Sequence, residues 1–229
     1  MARRRKLTQK EAFKAGGDPQ FVKPMKLGPW TSYSYLDDPK HMCFSLSRYK
    51  FCAKMIEGKE AALEVGCGDG FGIPIIAKAV KRVVAIDPEK RLVNGNKARL
   101  KQIKNIEFRV HSICDEPLDE KFNAIFSIDV IEHLDPHLNK AFMENQCASL
   151  KDDGICIVGT PNITAFKYAK EFNKLQHINS KGHASLRGQM ERYFENVFMF
   201  SMNDEVVHTG YGPMAHYLFA MGVGLKKRK

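Results

Sequence analysis

Long apolar runs are the first thing that the sequence lacks. No uninterrupted apolar stretch among the 229 residues approaches the roughly 18 that a membrane-spanning helix requires. The basic N-terminus, MARRRKLTQK, is followed by no apolar core, so it is not typical of a secretory signal. With 44% apolar and 27% charged residues, the composition predicts a globular cytoplasmic protein without a membrane partner.

Cysteine pairs with metal-binding or redox spacing are also missing. None of the six cysteines belongs to a Cys-x-x-Cys motif. Several of them lie within apolar runs, as Cys156 does in GICIVG. We therefore expect buried free thiols in a reducing compartment.

The body of the chain carries little net charge, although the total is +10. Four positive residues occupy positions 3–6 and four occupy 226–229, and without them 28 basic residues face 26 acidic ones. A nucleic-acid-binding body normally has a basic face of its own. We interpret both tails as solvated ends, with loose binding to RNA, DNA or another polyanion as the alternative.

Strands and helices alternate from residue 44 onward. Strands rich in valine and isoleucine, flanked by helical segments, indicate a doubly wound sheet covered on both faces. We predict an α/β fold with a mostly parallel seven-stranded sheet and one antiparallel late strand. The predicted helices are 44–58, 71–80, 89–103, 137–150 and 163–176, and the predicted strands are 61–66, 82–87, 106–112, 122–130, 155–161, 195–202 and 215–223.

The chain divides by composition into three parts. Residues 1–43 form an extension with little predicted regular structure up to residue 40, in which Trp30, Tyr33 and Tyr35 could cover an acceptor as a lid. Residues 44–223 form the main domain. Residues 224–229 form a basic tail.

The stretch LEVGCGDG, residues 63–70, ends the first strand and leads into its helix. Glycines at that point let a ligand lie against the backbone at the carboxyl end of the sheet. Asp87 ends the second strand, where a carboxylate can accept both hydroxyls of a ribose. A dinucleotide is disfavoured because Asp69 would repel a pyrophosphate, whereas a cationic ligand without phosphate fits.

These motifs resemble the class I S-adenosylmethionine-dependent methyltransferases. LEVGCGDG is similar to their first motif, VVAID to their second, FNAIFSIDVIEHL to their fourth-strand motif and DGICIVGTPN to their fifth strand. The D-x-x-EH-L pattern resembles the ubiquinone-biosynthesis branch of O-methyltransferases. The resemblance covers about residues 44–223. It implies S-adenosylmethionine as cofactor and S-adenosylhomocysteine as product.

The resemblance also implies cofactor contacts, residue by residue. The first motif would line the methionine and ribose, Asp87 would bind the ribose hydroxyls, and Arg48 would reach the cofactor carboxylate or remain a surface arginine. Relatives often carry an aspartate near adenine where this chain has Ser112, so Ile113 through its backbone, or Asp115, would substitute. The implied cofactor set is Arg48, Glu64, Gly66, Gly68, Gly70, Asp87, Ser112, Ile113, Ser127 and Ile128.

Candidate catalytic residues follow the fourth and fifth strands. Asp129, Glu132 and His133 are spaced i, i+3, i+4 and would share one face of a helical turn. They would supply a base for a hydroxyl acceptor, stabilise the turn or, by resemblance to some ubiquinone-type relatives, hold a divalent metal; we assign no metal ligand. His177 and His208 lie in later segments that would contact the acceptor.

Three functions compete at this stage. Methylation of a small-molecule hydroxyl, on a sugar or a biosynthetic intermediate, is favoured. Methylation of RNA or DNA is second, because the basic tails allow it although no Asn/Asp-Pro-Pro-aromatic motif and no Pro-Cys nucleophile pair is present. A non-catalytic binding module is third, and the intact glycine motif argues against it.

Overall fold

A computed structural model describes residues 6–15 and 24–227 of the chain. The helices are α1 (Gln9–Ala15), α2 (Pro29–Asp37), α3 (Lys40–Met55), α4 (Ile73–Ala79), α5 (Lys90–Arg99), α6 (Asn139–Ala148), α7 (Glu171–Gln176) and α8 (His183–Met190). The strands are β1 (Ala61–Val65), β2 (Arg82–Asp87), β3 (Ile106–Val110), β4 (Phe122–Ile128), β5 (Leu150–Pro161), β6 (Phe194–Asn203), β7 (Val206–His208) and β8 (Tyr217–Leu225).

One twisted sheet runs through the molecule in the order β3-β2-β1-β4-β5-β8-β6-β7. The first five strands are parallel to one another. Strand β8 pairs antiparallel with β5 and with β6, and β7 pairs antiparallel with β6. The predicted α/β class with a mostly parallel sheet and a late antiparallel strand is confirmed.

The sheet differs from the prediction in one strand. Across the described part of the chain it has eight strands rather than seven, because β7 folds back on β6 in a short hairpin. The predicted strands 195–202 and 215–223 leave no strand between them. The turn of this hairpin contains Asp204 in a left-handed conformation, with φ of +49°, which makes the tight reversal possible.

The N-terminal extension contains more regular structure than expected. Helix α1 starts with a capping box, in which Thr8 and Glu11 bond each other's backbone N–H groups. Helix α2 begins at Pro29, and proline is favoured at the first position of a helix because its missing N–H would have no partner there. The prediction of little regular structure up to residue 40 was wrong for these two segments, and the expected boundary at residue 44 lies inside α3.

Two apolar layers cover the sheet. One packs α3 and α4 against residues such as Val83, Phe126 and Phe219, and the other packs α6 and α8 against Leu63, Ile125 and similar residues. Buried strands of this kind leave their carboxyl ends as the exposed edge on which the loops assemble. No helix within the described residues is both long and apolar enough to cross a membrane.

Candidate functional site

A cavity of about 240 Å³ lies at the carboxyl ends of β1 and β4. The strand order reverses between these two strands, and open α/β sheets bind ligands at such a point. Helices α2 and α3 form one wall, the glycine loop (residues 66–72) forms the second, and the turn after β4 closes the third. The lining includes Trp30, Ser34, His41, Gly66, Ile128 and Asp129.

The glycine loop has the backbone that only glycine adopts easily. Gly66 has φ of +73°, and a Cβ there would lie 2.4 Å from a methyl carbon of Val130. Gly68 has φ of +50°, and no atom lies within 4 Å of where its Cβ would be. The loop is therefore closely packed at its start and open at Gly68, where a ligand can approach the backbone. Gly70 faces Asn96 on α5 instead of the cavity.

Asp87 joins the glycine loop to the start of α5. Its Oδ2 accepts from the Gly68 N–H at 2.9 Å, and its Oδ1 accepts from the Glu89 N–H at 2.8 Å. A carboxylate has about four lone-pair positions, so capacity remains for ribose hydroxyls. The structure thus brings together Asp87, Gly66, Gly68 and Ile128 of the predicted cofactor residues.

Glu64 lies behind the cavity wall. Its Oε1 accepts from the Tyr49 hydroxyl at 2.6 Å, and Tyr49 itself lines the cavity. Burial raises the pKa of Glu64 to about 8, the Tyr49 hydrogen bond lowers it and Asp87 adds a smaller increase. Glu64 therefore supports a wall residue, whereas sequence reasoning predicted direct contact with the cofactor.

Asp69 bonds the N-terminal extension. Its carboxylate accepts from the Thr31 backbone N–H at 2.8 Å and from the Thr31 hydroxyl at 2.9 Å. Both residues are only 6% exposed. Asp69, the residue that disfavoured a pyrophosphate ligand, thus binds the first turn of α2. This contact makes α2 part of the cavity wall.

Arg48 is buried and paired with an acidic side chain. Its guanidinium donates to Asp129 Oδ2 at 2.6 Å and lies 4.0 Å from the centre of the Tyr217 ring. The predicted contact of Arg48 with the cofactor carboxylate stays a prediction, whereas the alternative of a surface arginine is wrong because Arg48 is only 6% exposed. Asp129 has φ of +56° and keeps Oδ1 unpartnered beside the cavity.

Glu132, His133 and His177 form a second cluster next to Asp129. Their ligand atoms lie within 4.8 Å of one another, and the two imidazole rings meet edge to face with centroids 4.9 Å apart. Glu132 accepts from the Thr160 hydroxyl through Oε2 at 3.0 Å, while its buried Oε1 has no partner. Burial, and then repulsion by Asp129, raise the pKa of Glu132 to about 8. Burial, and then His133, lower the pKa of His177.

Several predicted residues lie elsewhere. His208 is held in the β6–β7 hairpin, where its ring nitrogens meet the side-chain oxygen of Asn203 and the N–H of Gly210, and the structure does not bring it to the cluster. Ser112 and Ile113 follow β3 and do not line the cavity. Ser127 is fully buried at the end of β4, and its hydroxyl has no partner.

Four residues of the site were missed by sequence reasoning. Thr31, His41, Tyr49 and Tyr217 come from α2, α3 and β8, and no motif marks them. His41 lines the cavity, and burial together with Arg48 lowers its pKa. Residue type could have drawn attention to His41, Tyr49 and Tyr217, but no signal marks Thr31.

Comparison with known proteins bears directly on this site. A family model for a methyltransferase domain matches residues 62–154, which contain β1 from its second residue, the glycine loop, Asp87 and the turn after β4. A probable S-adenosylmethionine-dependent methyltransferase from Mycolicibacterium smegmatis is 29% identical over 125 residues. The predicted resemblance to the class I S-adenosylmethionine-dependent methyltransferases is thereby confirmed. The cofactor of this family is S-adenosylmethionine.

The curated relatives are longer than this chain. The match covers 54% of this chain and 46% of the M. smegmatis protein. A probable S-adenosylmethionine-dependent methyltransferase of Mycobacterium tuberculosis is 29% identical over 111 residues, covering 48% of this chain and 38% of that protein. The matched stretches thus span less than half the length of these relatives.

Solved methyltransferases share the fold. The methyltransferase domain of a bacterial Hen1 protein superposes with a TM-score of 0.67 at 18% identity, over 79% of this chain and 99% of that one. The N-methyltransferase NodS of Bradyrhizobium japonicum, in complex with S-adenosylhomocysteine, gives a TM-score of 0.61 at 17% identity, over 84% and 91%. At these identities the likeness concerns the fold of the chain alone, and the ubiquinone-type branch stays a prediction.

Proposed function

We propose that this chain transfers the methyl group of S-adenosylmethionine to a hydroxyl of a small-molecule acceptor. The carbon–sulfur bond breaks as the new carbon–oxygen bond forms, the sulfonium becomes the thioether of S-adenosylhomocysteine, and the hydroxyl proton passes to a base. The observation that carries the proposal is the continuity of the site. The cavity beside the glycine loop meets the Glu132–His133–His177 cluster at Asp129.

Charge supports the cofactor half of this proposal. The cofactor has a cationic sulfonium and an ammonium group, and Asp129 offers the unpartnered Oδ1 next to the cavity. The open backbone at Gly68 and the carboxylate of Asp87 suit the ribose. Transfer then depends mainly on positioning, since the cofactor brings the activated carbon.

The cluster supports the acceptor half. His177 is neutral near pH 7 because its pKa is lowered, so it can accept a proton. Glu132 is fixed by Thr160 and leaves one buried oxygen for an acceptor hydroxyl. A sugar or another polar biosynthetic intermediate with a hydroxyl fits these groups.

A divalent metal in the same cluster is the second candidate. One carboxylate and two imidazoles within 4.8 Å form a donor set that Zn²⁺ or Mn²⁺ accepts, and the unpartnered Oε1 of Glu132 gives such an ion a ligand. Glu132, His133 and His177 would hold it, whereas Asp129 is engaged by Arg48. A bound cation would lower the pKa of an acceptor hydroxyl.

The proposal includes a cytoplasmic location, and nucleic acid is the alternative acceptor. All six cysteines are free, which suits a reducing compartment. Arg3, Arg4, Arg5, Arg228 and Lys229 of the basic tails lie outside the described residues. Binding to RNA or DNA through these tails is therefore kept as an outcome of the experiment.

The test measures cofactor binding and the destination of the methyl group. Calorimetry with S-adenosylmethionine and S-adenosylhomocysteine should show binding that Asp87→Ala weakens at least tenfold, while the exposed control Asp152→Ala leaves it unchanged. Methyl-labelled cofactor is then incubated with host small molecules, RNA and protein as separate fractions. Label in small molecules supports the proposal, and label in RNA would replace it with the nucleic-acid function. No cofactor binding would favour a non-catalytic module.

A further inference from the structure

The N-terminus of helix α2 has no side-chain cap from its own N-cap residue. The N-terminal N–H groups of a helix need acceptors, and the residue before α2, Gly28, has no side chain to provide one. Asp69 provides it from 38 positions along the chain, through bonds to both the N–H and the hydroxyl of Thr31. A carboxylate at this end also interacts favourably with the helix dipole.

The segment before α2 packs tightly against the glycine loop. A Cβ on Gly28 would lie 2.4 Å from the side chain of Asp69, so the segment before α2 lies directly against the glycine loop. From the opposite side, Asn96 donates to the carbonyl of Gly68 and Arg99 donates to the carbonyl of Asp69. Asp69 is therefore fixed to α5 by its backbone and to α2 by its side chain.

The two ends of α2 are held differently. Near its start, the bonds between Asp69 and Thr31 are buried. At its end, Asp37 pairs with Lys170 at 2.7 Å in an ion pair whose side chains are largely exposed. Exposed ion pairs contribute only about 0–1 kcal/mol. Of these two attachments, the buried one to the glycine loop therefore holds α2 more strongly.

We propose that Asp69 is a positioning residue that, through Thr31, holds α2 as the outer wall of the cofactor site. Helix α2 then acts as a lid that keeps water from the sulfonium and slows cofactor release. Trp30, Thr31 and Ser34 line the cavity from α2 opposite Gly66, so loosening α2 opens that wall. The proposal rests on the proposed function, because it assumes that S-adenosylmethionine occupies this cavity.

The only tryptophan of the chain provides the readout. Trp30 lies on α2 in the cavity wall, so its fluorescence should change when cofactor binds. Dissociation of S-adenosylhomocysteine is followed by Trp30 emission in a chase experiment. Asp69→Asn should speed dissociation at least tenfold and Thr31→Val severalfold. Thr31→Ser, which keeps the hydroxyl, should behave as wild type, and Lys170→Met should change the rate less than twofold.

A second measurement does not require cofactor. In hydrogen exchange of the full chain, Asp69→Asn should accelerate exchange in residues 29–37 and leave residues 73–79 unchanged. Equal dissociation rates for wild type and Asp69→Asn, or unchanged exchange in α2, would overturn the proposal even if calorimetry shows cofactor binding. Absence of cofactor binding by wild type would instead refute the proposed function, while the exchange data would still decide whether Asp69 holds α2.

Discussion

Arg48 and Asp129 form an ion pair across 81 positions of sequence, with 2.6 Å between the guanidinium Nη1 and the carboxylate Oδ2. Asp129 follows β4 in a left-handed conformation that residues other than glycine rarely adopt. Its backbone N–H is bonded to the carbonyl of Gly159 on β5. The ion pair therefore holds the residue that separates the cavity from the Glu132 cluster.

Arg48→Met should destabilise the protein by about 2–4 kcal/mol, because it leaves Asp129 without its partner in a mostly buried site. Arg48→Lys should recover part of that loss, since it keeps the charge but not the planar group over Tyr217. Urea unfolding measures both variants. Lys170→Met, which breaks an exposed pair, should cost less than about 1 kcal/mol and serves as the control. A loss of that small size for Arg48→Met would contradict the prediction.

Glu64 should make stability fall as pH rises from about 4.5 to about 8. Burial raises the pKa of Glu64 from 4.5 to about 8 in the folded state. Between these values the folded protein keeps a proton that the unfolded chain releases, so the stabilisation is full below pH 4.5 and lost through pH 8. The slope from this one proton reaches about 1.4 kcal/mol per pH unit.

The variant Glu64→Gln removes that titration and keeps the acceptor for the Tyr49 hydroxyl. Urea unfolding from pH 5 to 9 should therefore show a smaller decrease than in wild type. The exposed Glu205→Gln is the matched control and should follow the wild-type curve. Parallel curves for wild type and Glu64→Gln would mean that Glu64 is ionised in the folded protein at neutral pH.

Gly66→Ala and Gly95→Ala should change stability in opposite directions. At Gly66 the left-handed backbone costs an alanine about 1–2 kcal/mol, and the methyl group would also meet Val130. At Gly95, inside α5, nothing lies within 4 Å, and alanine should stabilise the helix by about 1 kcal/mol. Unfolding measurements compare the two, and calorimetry should show cofactor binding lost only in Gly66→Ala. Intact binding in that variant would remove the glycine loop from the cofactor site.

Local patterns predicted the parts of the site that lie close together in sequence. Strand β2 was predicted with its observed bounds because an apolar run with a charged residue at each end is itself the strand signal. The glycine loop and Asp87 followed from their position after consecutive strands. Strand β5 starts at Leu150 instead of 155, since the polar KDDG resembles a loop but lies within the strand, where its pairing with β4 shifts register.

The contacts that shape the site could not be predicted in this way. Thr31 and Asp69 are 38 positions apart, and Arg48 and Asp129 are 81 apart. Each pair exists because separate elements pack at one edge of the sheet, and neither partner carries a pattern that identifies the other. His177 lies beside Glu132 and His133 for the same reason, because the segment after β5 packs there.

Glu132→Gln distinguishes a metal-binding cluster from a protein base without knowledge of the acceptor. If the cluster holds a cation, calorimetry with Mn²⁺ should show one site that Glu132→Gln and His177→Gln each weaken at least tenfold. The exposed control His137→Gln should bind Mn²⁺ as wild type does, and a chelator should abolish label transfer. If Glu132 and His177 act alone, Mn²⁺ should not bind and the chelator should have no effect.

In both cases the two variants should slow label transfer by about 10²-fold or more while leaving the affinity for S-adenosylmethionine within twofold of wild type. An equal loss of cofactor affinity would instead place the cluster in the cofactor site.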